Sequence, residues 1–236
     1  TAHMDELMSY AFVGYKPSLS NSVTDIEHYK IDHGKIPEIV ALVKNNNVSV
    51  TATLVVDENI CQFLEDANKI YSDPAYQVIR PEMLARWKTK GRIANWKGQE
   101  DWRRNQWRPF LLKLTKALHS ADVPILLGTD AKVDSIIPGY HIHKELELLV
   151  ESGLSPYEAL ETGTINAAIT AGKMSEDRNW GTISPGNQAD LVLLRKNPLV
   201  NISNTRDRIG VMIKGEWYTQ TELNKLVNEY TATFKK

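Results

Sequence analysis

Val123-Pro124-Ile125-Leu126-Leu127-Gly128-Thr129-Asp130 decides the fold. An apolar run of this length, with no polar alternation, suits a strand buried on both faces, as in a parallel sheet. Its polar tip then lies at the strand's C-terminal end, where parallel α/β architectures place their chemistry. Asp130 is therefore the first candidate for catalysis. An Asp at a strand-to-loop junction also serves simply to cap the next segment, and these eight residues alone leave both readings open.

Outward from this strand the chain alternates. A helix from about Asp101 to His119 leads into it, and a loop from Ala131 to Tyr140 with a Pro138-Gly139 turn leaves it. His141 to Val150 has amphipathic helical spacing and is closed by Gly153, and Ser155-Pro156-Tyr157-Glu158 opens another helix with a Ser cap, Pro at the first position and Glu at the third. Asn166 to Ala171 extends the helical layer. Upstream, Met4 to Phe12 has helical spacing, Val23 to His28 reads as a short strand, Pro37 opens a helix, and Val48 to Val56 is a β-branched strand. Asp57 to Ser120 is mostly helical. Strands alternating with helices argue for βα units and a parallel sheet. After about residue 177 the texture changes to short strands, Ala189–Leu194, Ile209–Ile213 and Glu216–Tyr218, joined by Gly/Pro turns such as Lys214-Gly215. That pattern indicates a small β appendage whose first two strands pair antiparallel.

Composition narrows the class. With 236 residues, 42% hydrophobic, 24% charged and a net charge of -1, the chain can bury a sizeable core and carries no global field directed at nucleic acid or membrane. No apolar run is long enough to span a bilayer. The single Cys61 excludes an internal disulfide framework and a Cys-rich zinc site. Arg and Lys from Arg86 to Arg108 are interleaved with Trp87, Trp96, Trp102 and Trp107. Such a mixture can stack bases, but the neutral net charge favours a cover with inward tryptophans, or a lid that offers cations to an anionic substrate group. No Gly-x-Ser-x-Gly elbow supports Ser-His-Asp catalysis.

Three residues stand out as candidates: His3, His28 and Asp130. If His3 ends a strand, each sits at the C-terminal end of a parallel strand, and such side chains converge on one mouth. Imidazoles with a carboxylate form the ligand set of zinc and its first-row neighbours. A lone strand-end His is equally served by a structural hydrogen bond, and His3 beside Met4 near the chain start also has the look of an expression scar. His141 and His143 begin a helix near the mouth, with either a capping or a substrate-side role. His33 and His119 lack motif context and read as surface residues.

The ordered series Leu126-Leu127-Gly128-Thr129-Asp130, His143-Lys144-Glu145-Leu146-Glu147-Leu148-Leu149-Val150-Glu151-Ser152-Gly153-Leu154-Ser155-Pro156, Thr164-Ile165-Asn166-Ala167-Ala168 and Gly181-Thr182-Ile183-Ser184-Pro185-Gly186-Asn187-Gln188-Ala189-Asp190-Leu191-Val192 resembles the C-terminal portion of metal-dependent amidohydrolases, in the imidazolonepropionase-like and prolidase-like branch. Thr1-Ala2-His3 is similar to that family's fifth-strand motif and Thr24-Asp25-Ile26-Glu27-His28 to its sixth. Asp57 to Ser120 shows no family motif. The resemblance implies an α/β fold: the C-terminal half of a (β/α)8 TIM-type barrel over 1–176, with a β-sandwich appendage and C-terminal helix over 177–236.

It further implies His3, His28 and Asp130 as ligands of one or two divalent ions, with zinc the expected metal. Asp130 would be the general base that hydrolyses an amide or cyclic amide C–N bond, and His143 a substrate-side residue. Ligand distances of about 2.0–2.2 Å are expected, with about 3.5–4 Å between two metals. The substrate would be a small amide or dipeptide-like molecule. A deaminase of the same superfamily, or an inactive scaffold, are the rivals. The first-strand histidine pair and the fourth-strand lysine of the family are absent, so the chain is expected to be a C-terminal segment that needs the N-terminal segment of the same protein. Neither nucleic acid nor membrane is an expected partner, and homo-oligomerisation is compatible with the sequence.

Overall fold

The structure, a computed structural model, describes residues 2–14, 30–91, 93, 96–131, 133–173 and 179–235. The expected strand at Val23–His28 lies outside the described residues. In chain order the first unit contains β1 (Ala2–His3), α1 (Met4–Met8), α2 (Ile36–Asn45), β2 (Val50–Thr51), α3 (Leu54–Tyr71) and α4 (Pro81–Lys90). The short α5 (Glu100–Trp102) then runs through a π-helical turn at Arg103–Trp107 into α6 (Arg108–Ser120), followed by β3 (Ile125–Leu126), α7 (Ile142–Glu151), α8 (Pro156–Gly163) and α9 (Ile165–Ala171). The second unit has β4 (Leu191–Leu194), β5 (Arg208–Ile213), β6 (Glu216–Thr219) and α10 (Gln220–Ala232).

β1, β2 and β3 form a parallel sheet in that order, with Ala2 opposite Val50 and Val50 opposite Ile125. The parallel pairing of the β2 and β3 segments is as expected from their helical crossovers. Two details differ. β3, whose apolar run over Val123–Gly128 is the texture of a central strand, stands at the edge of the described sheet. β1 is bonded directly to β2, whereas a barrel would set the His28 segment between them. β3's outer edge is not bare: Leu127 N–H donates to the Thr162 carbonyl (3.1 Å), and Asn166 Nδ2 to that of Ile125 (3.3 Å).

The strand expected over Val48–Val56 is also shorter. Pairing covers Val50–Thr51 only, and α3 begins at Leu54. Thr53 stands in the left-handed region (φ 48°), which turns the chain sharply, and its hydroxyl does not cap the helix. The buried Glu145 does so instead from α7, its two carboxylate oxygens accepting the N–H groups of Leu54 (3.1 Å) and Val55 (2.7 Å). Those are two of the four orphan donors every helix start must satisfy.

The main core gathers Met4, Met8, Val50, Phe110, Leu114, Leu118, Ile125, Leu148 and Leu149 between the sheet and its helices. A second cluster of Ile60, Phe63, Tyr71, Tyr76, Trp87, Ile93 and Ile137 holds the α3–α4 region. β4, β5 and β6 form a separate antiparallel sheet. Its hairpin turns at Lys214 and Gly215, both at positive φ (52° and 84°), the geometry that matches strand twist. α7 docks on this unit through Arg206 and Ser203, which both donate to Glu147.

Candidate active site

Sequence and topology place His3 at the C-terminal end of β1, and Thr53 and Asp130 past the C-terminal ends of β2 and β3. His3 is half-buried, starts α1, and has its Nδ1 3.4 Å from Thr53 Oγ1. Asp130 is exposed, with its backbone in the left-handed region (φ 49°). Asp tolerates that region better than most residues, at a cost that surrounding structure must hold in place. His28 lies outside the described residues.

The close approach of β3 to β2 depends on Gly128. A Cβ there would lie 2.4 Å from Thr51 Cγ2. Gly128→Ala is therefore expected to lower unfolding free energy in urea by about 1–3 kcal/mol through overpacking. Thr51→Ser, which deletes that methyl, should recover most of the loss in the double variant.

An imidazole and a carboxylate are the right kind of donors for a divalent ion. They are too few by themselves: among the described residues no three His, Cys, Asp or Glu side chains come together to hold one.

His143, expected on the substrate side, is buried between α7 and the antiparallel unit. Arg208 Nη1 donates to its Nε2 (2.9 Å), so Nδ1 carries the proton and donates to Thr205 Oγ1 (2.9 Å), whose hydroxyl donates to the Ile202 carbonyl (2.9 Å). Burial, reinforced by Arg206 and Arg208, lowers its pKa to about 4. The unfolded chain thus binds a proton that the folded chain refuses. Stability from this residue is full above about pH 6.5 and falls as pH drops to about 4, by at most ~3 kcal/mol. In His143→Asn that part of the pH slope of urea unfolding should vanish. His141 turns its Nδ1 to the Ile137 N–H (2.8 Å), bracing the loop rather than capping α7.

In the Arg/Trp segment, Arg103, Arg104 and Arg108 turn to carboxylates of the protein itself, while Arg86, Lys88, Lys90 and Lys97 are exposed. Arg103 is buried and pairs with Asp57 (3.1 Å), its guanidinium over the rings of Trp96 and Trp107 (4.7 and 5.3 Å). Arg104 pairs with Glu58 and Glu65, and Arg108 with Glu58 and Glu151. These three arginines tie the segment to α3 and α7 as a cover, since the buried Asp57 and Glu58 need cationic partners. Burial pushes Asp57 up to about 7 against the pull of Arg103, and Glu145 up to about 8 despite its two backbone donors.

Asp57, Glu58 and Glu145 escaped the sequence reading, although a signal was there. Leu54, Asp57, Glu58 and Cys61 share the i, i+3, i+4, i+7 stripe of α3, and Ile142, Glu145, Leu146 and Leu149 that of α7. A carboxylate on an apolar stripe must be buried with a partner. A groove of about 680 Å³ opens between α3 and the start of α7, lined among others by Asn59, Asp73, Tyr76, His141, Lys144 and Arg206. His3 and Asp130 do not line it.

Comparisons with known proteins agree with this architecture. The model of the Amidohydrolase family matches residues 14–218. Ochratoxinase of Aspergillus niger is 29% identical over 174 residues, 72% of this chain and 32% of the relative. An adenine deaminase of Methanosphaera stadtmanae is 35% identical over 82 residues, 35% of this chain and 14% of that protein. The chain thus spans a third or less of these curated relatives. Among solved structures, bottromycin amidohydrolase superposes with a TM-score of 0.61 at 23% identity, over 79% of this chain and 40% of its own. A Xaa-Pro dipeptidase with bound methionine superposes with a TM-score of 0.54 at 21% identity, over 77% and 37%. At these identities the superpositions speak for the fold; the family match, running through most of the chain, speaks for descent. The chain belongs to the amidohydrolase family.

Proposed function

We propose that the whole protein is a metal-dependent hydrolase of amide or cyclic amide C–N bonds in small, dipeptide-like substrates. The observation that carries this reading is Asp130: an exposed carboxylate held in a left-handed corner at the C-terminal end of a buried parallel strand. Residues 1–176 are read as the C-terminal half of a (β/α)8 barrel and 177–236 as its β-sandwich appendage with a C-terminal helix. The parallel sheet with helical crossovers supports the first and the separate antiparallel sheet the second. The direct pairing of β1 with β2 departs from simple barrel order.

Members of this family generally use a divalent metal. Zinc held by His3, His28 and Asp130, with further ligands from protein outside this stretch, would polarise the scissile carbonyl and acidify the attacking water. Asp130 then takes the proton from that water and delivers it to the leaving amine, a transfer a carboxylate in hydrogen-bond reach performs efficiently. His143, proposed for the substrate side, has both ring nitrogens engaged by Thr205 and Arg208 and would act there only indirectly, by holding α7 to the antiparallel unit.

Likeness to an adenine deaminase over 82 residues favours deamination as the second reading. The whole protein should be incubated with N-acyl amino acids, Xaa-Pro dipeptides, cyclic imides and adenine. Release of an amino acid or ring-opened acid supports the amidase reading. Ammonia from adenine with no amide turnover overturns it.

A further inference from the structure

We propose that Ser135, with Asn59, Tyr71 and Tyr76 from the α3 region, is a clamp that positions Asp130 for the proposed hydrolysis. Asn59 Nδ2 and the Tyr76 hydroxyl both donate to the Ser135 carbonyl (2.9 and 2.7 Å), while the Tyr71 and Ser135 hydroxyls share a hydrogen bond. All four residues are buried, Ser135 completely. Ser135 is itself left-handed (φ 69°), so the loop from Asp130 contains two non-glycine residues in a conformation L side chains resist. Each is strained and persists only where neighbours over-determine it.

The clamp reaches Asp130 through a short stack of turns. Val133 N–H donates to the Asp130 carbonyl (3.1 Å) and Ile136 N–H to the Val133 carbonyl (3.1 Å). Anchoring Ser135 therefore fixes the far end of the stack whose near end is Asp130. The anchors come from α3 and the turn at Pro74–Val78, inside the stretch that shows no family motif. That stretch thus acts on the site through the loop behind the base, without touching the reacting atoms. The three partners are positioning residues, and the inference rests on the reading of Asp130 as the base.

The test uses the whole protein with Tyr76→Phe, Tyr71→Phe and the double variant, substitutions that remove one hydroxyl each and keep the packed rings. Amide hydrogen exchange at Val133 and Ile136 should accelerate about tenfold or more in the double variant. On an Xaa-Pro dipeptide or another cleaved amide, kcat should fall about 10–100-fold with KM little changed. Faster exchange with unchanged kcat, or a rise in KM alone, would overturn the positioning role. Unchanged exchange would overturn the clamp. If the wild-type protein cleaves none of the amides, the hydrolase reading fails and the positioning role with it. The exchange arm still separates that failure from failure of the clamp.

Discussion

Asp130→Asn in the metal-replete whole protein is expected to lower kcat by about 10²–10⁴-fold, the usual worth of a positioned general base. The amide keeps the carboxylate's shape but cannot accept the water's proton. The fold should survive, for two reasons visible at the residue. Asp130 is exposed, so no buried partner is orphaned. Its φ of 49° suits Asn at least as well as Asp. Urea unfolding should therefore stay within about 0.5 kcal/mol of wild type, and KM should change little. Turnover within a few-fold of wild type would remove Asp130 from the mechanism.

Arg103→Ala is expected to have the largest effect on stability, about 3–5 kcal/mol, because it leaves Asp57 buried with its salt-bridge cation removed. The pH dependence carries the diagnosis. Burial already lifts Asp57 from its ordinary 3.8 to about 7, with Asp5 also pushing it upward. A group whose folded pKa is raised is most favourable when protonated, so its stability contribution is lost as pH rises through that value. Without Arg103 the pKa rises further. The deficit of Arg103→Ala should accordingly be smallest near pH 5, where Asp57 takes a proton, and largest above pH 7. Asp57→Leu combined with Arg103→Met, an apolar pair of similar volume, should recover much of the loss. A deficit independent of pH would mean that the cation's packing on Trp96 and Trp107, and not its charge, is what matters.

Local signals in the sequence led to correct elements wherever the neighbours agreed with them. Ser155 and Glu158 form the reciprocal cap they promise, with Pro156 opening α8. The hairpin at Lys214-Gly215 and the parallel pairing of β2 with β3 also follow from short-range pattern and spacing. What was illegible depends on partners distant in sequence. Val55-Val56 has the texture of a strand, yet a carboxylate from Glu145 makes α3 start there. Arg103, Arg104 and Arg108 read as part of a solvated or substrate-facing cluster, yet Asp57, Glu58, Glu65 and Glu151 pair with them. The place of Asp130, exposed beyond the end of a buried parallel strand, was legible from that strand and its tip. The clamp on Ser135 was not, since it joins residues 59 to 76 apart in sequence to a loop with no motif.

The central claim is that this family member works through a divalent ion held in part by His3, His28 and Asp130. The direct test is metal analysis of the purified whole protein beside His3→Ala and His28→Ala, with amide turnover followed through chelation and zinc return. The account predicts about one or two ions per wild-type chain. It also predicts a clear loss of metal and turnover in both variants, and turnover that disappears with chelator and returns with zinc. Wild-type turnover that survives complete metal removal, or full metal content in both variants, would contradict it.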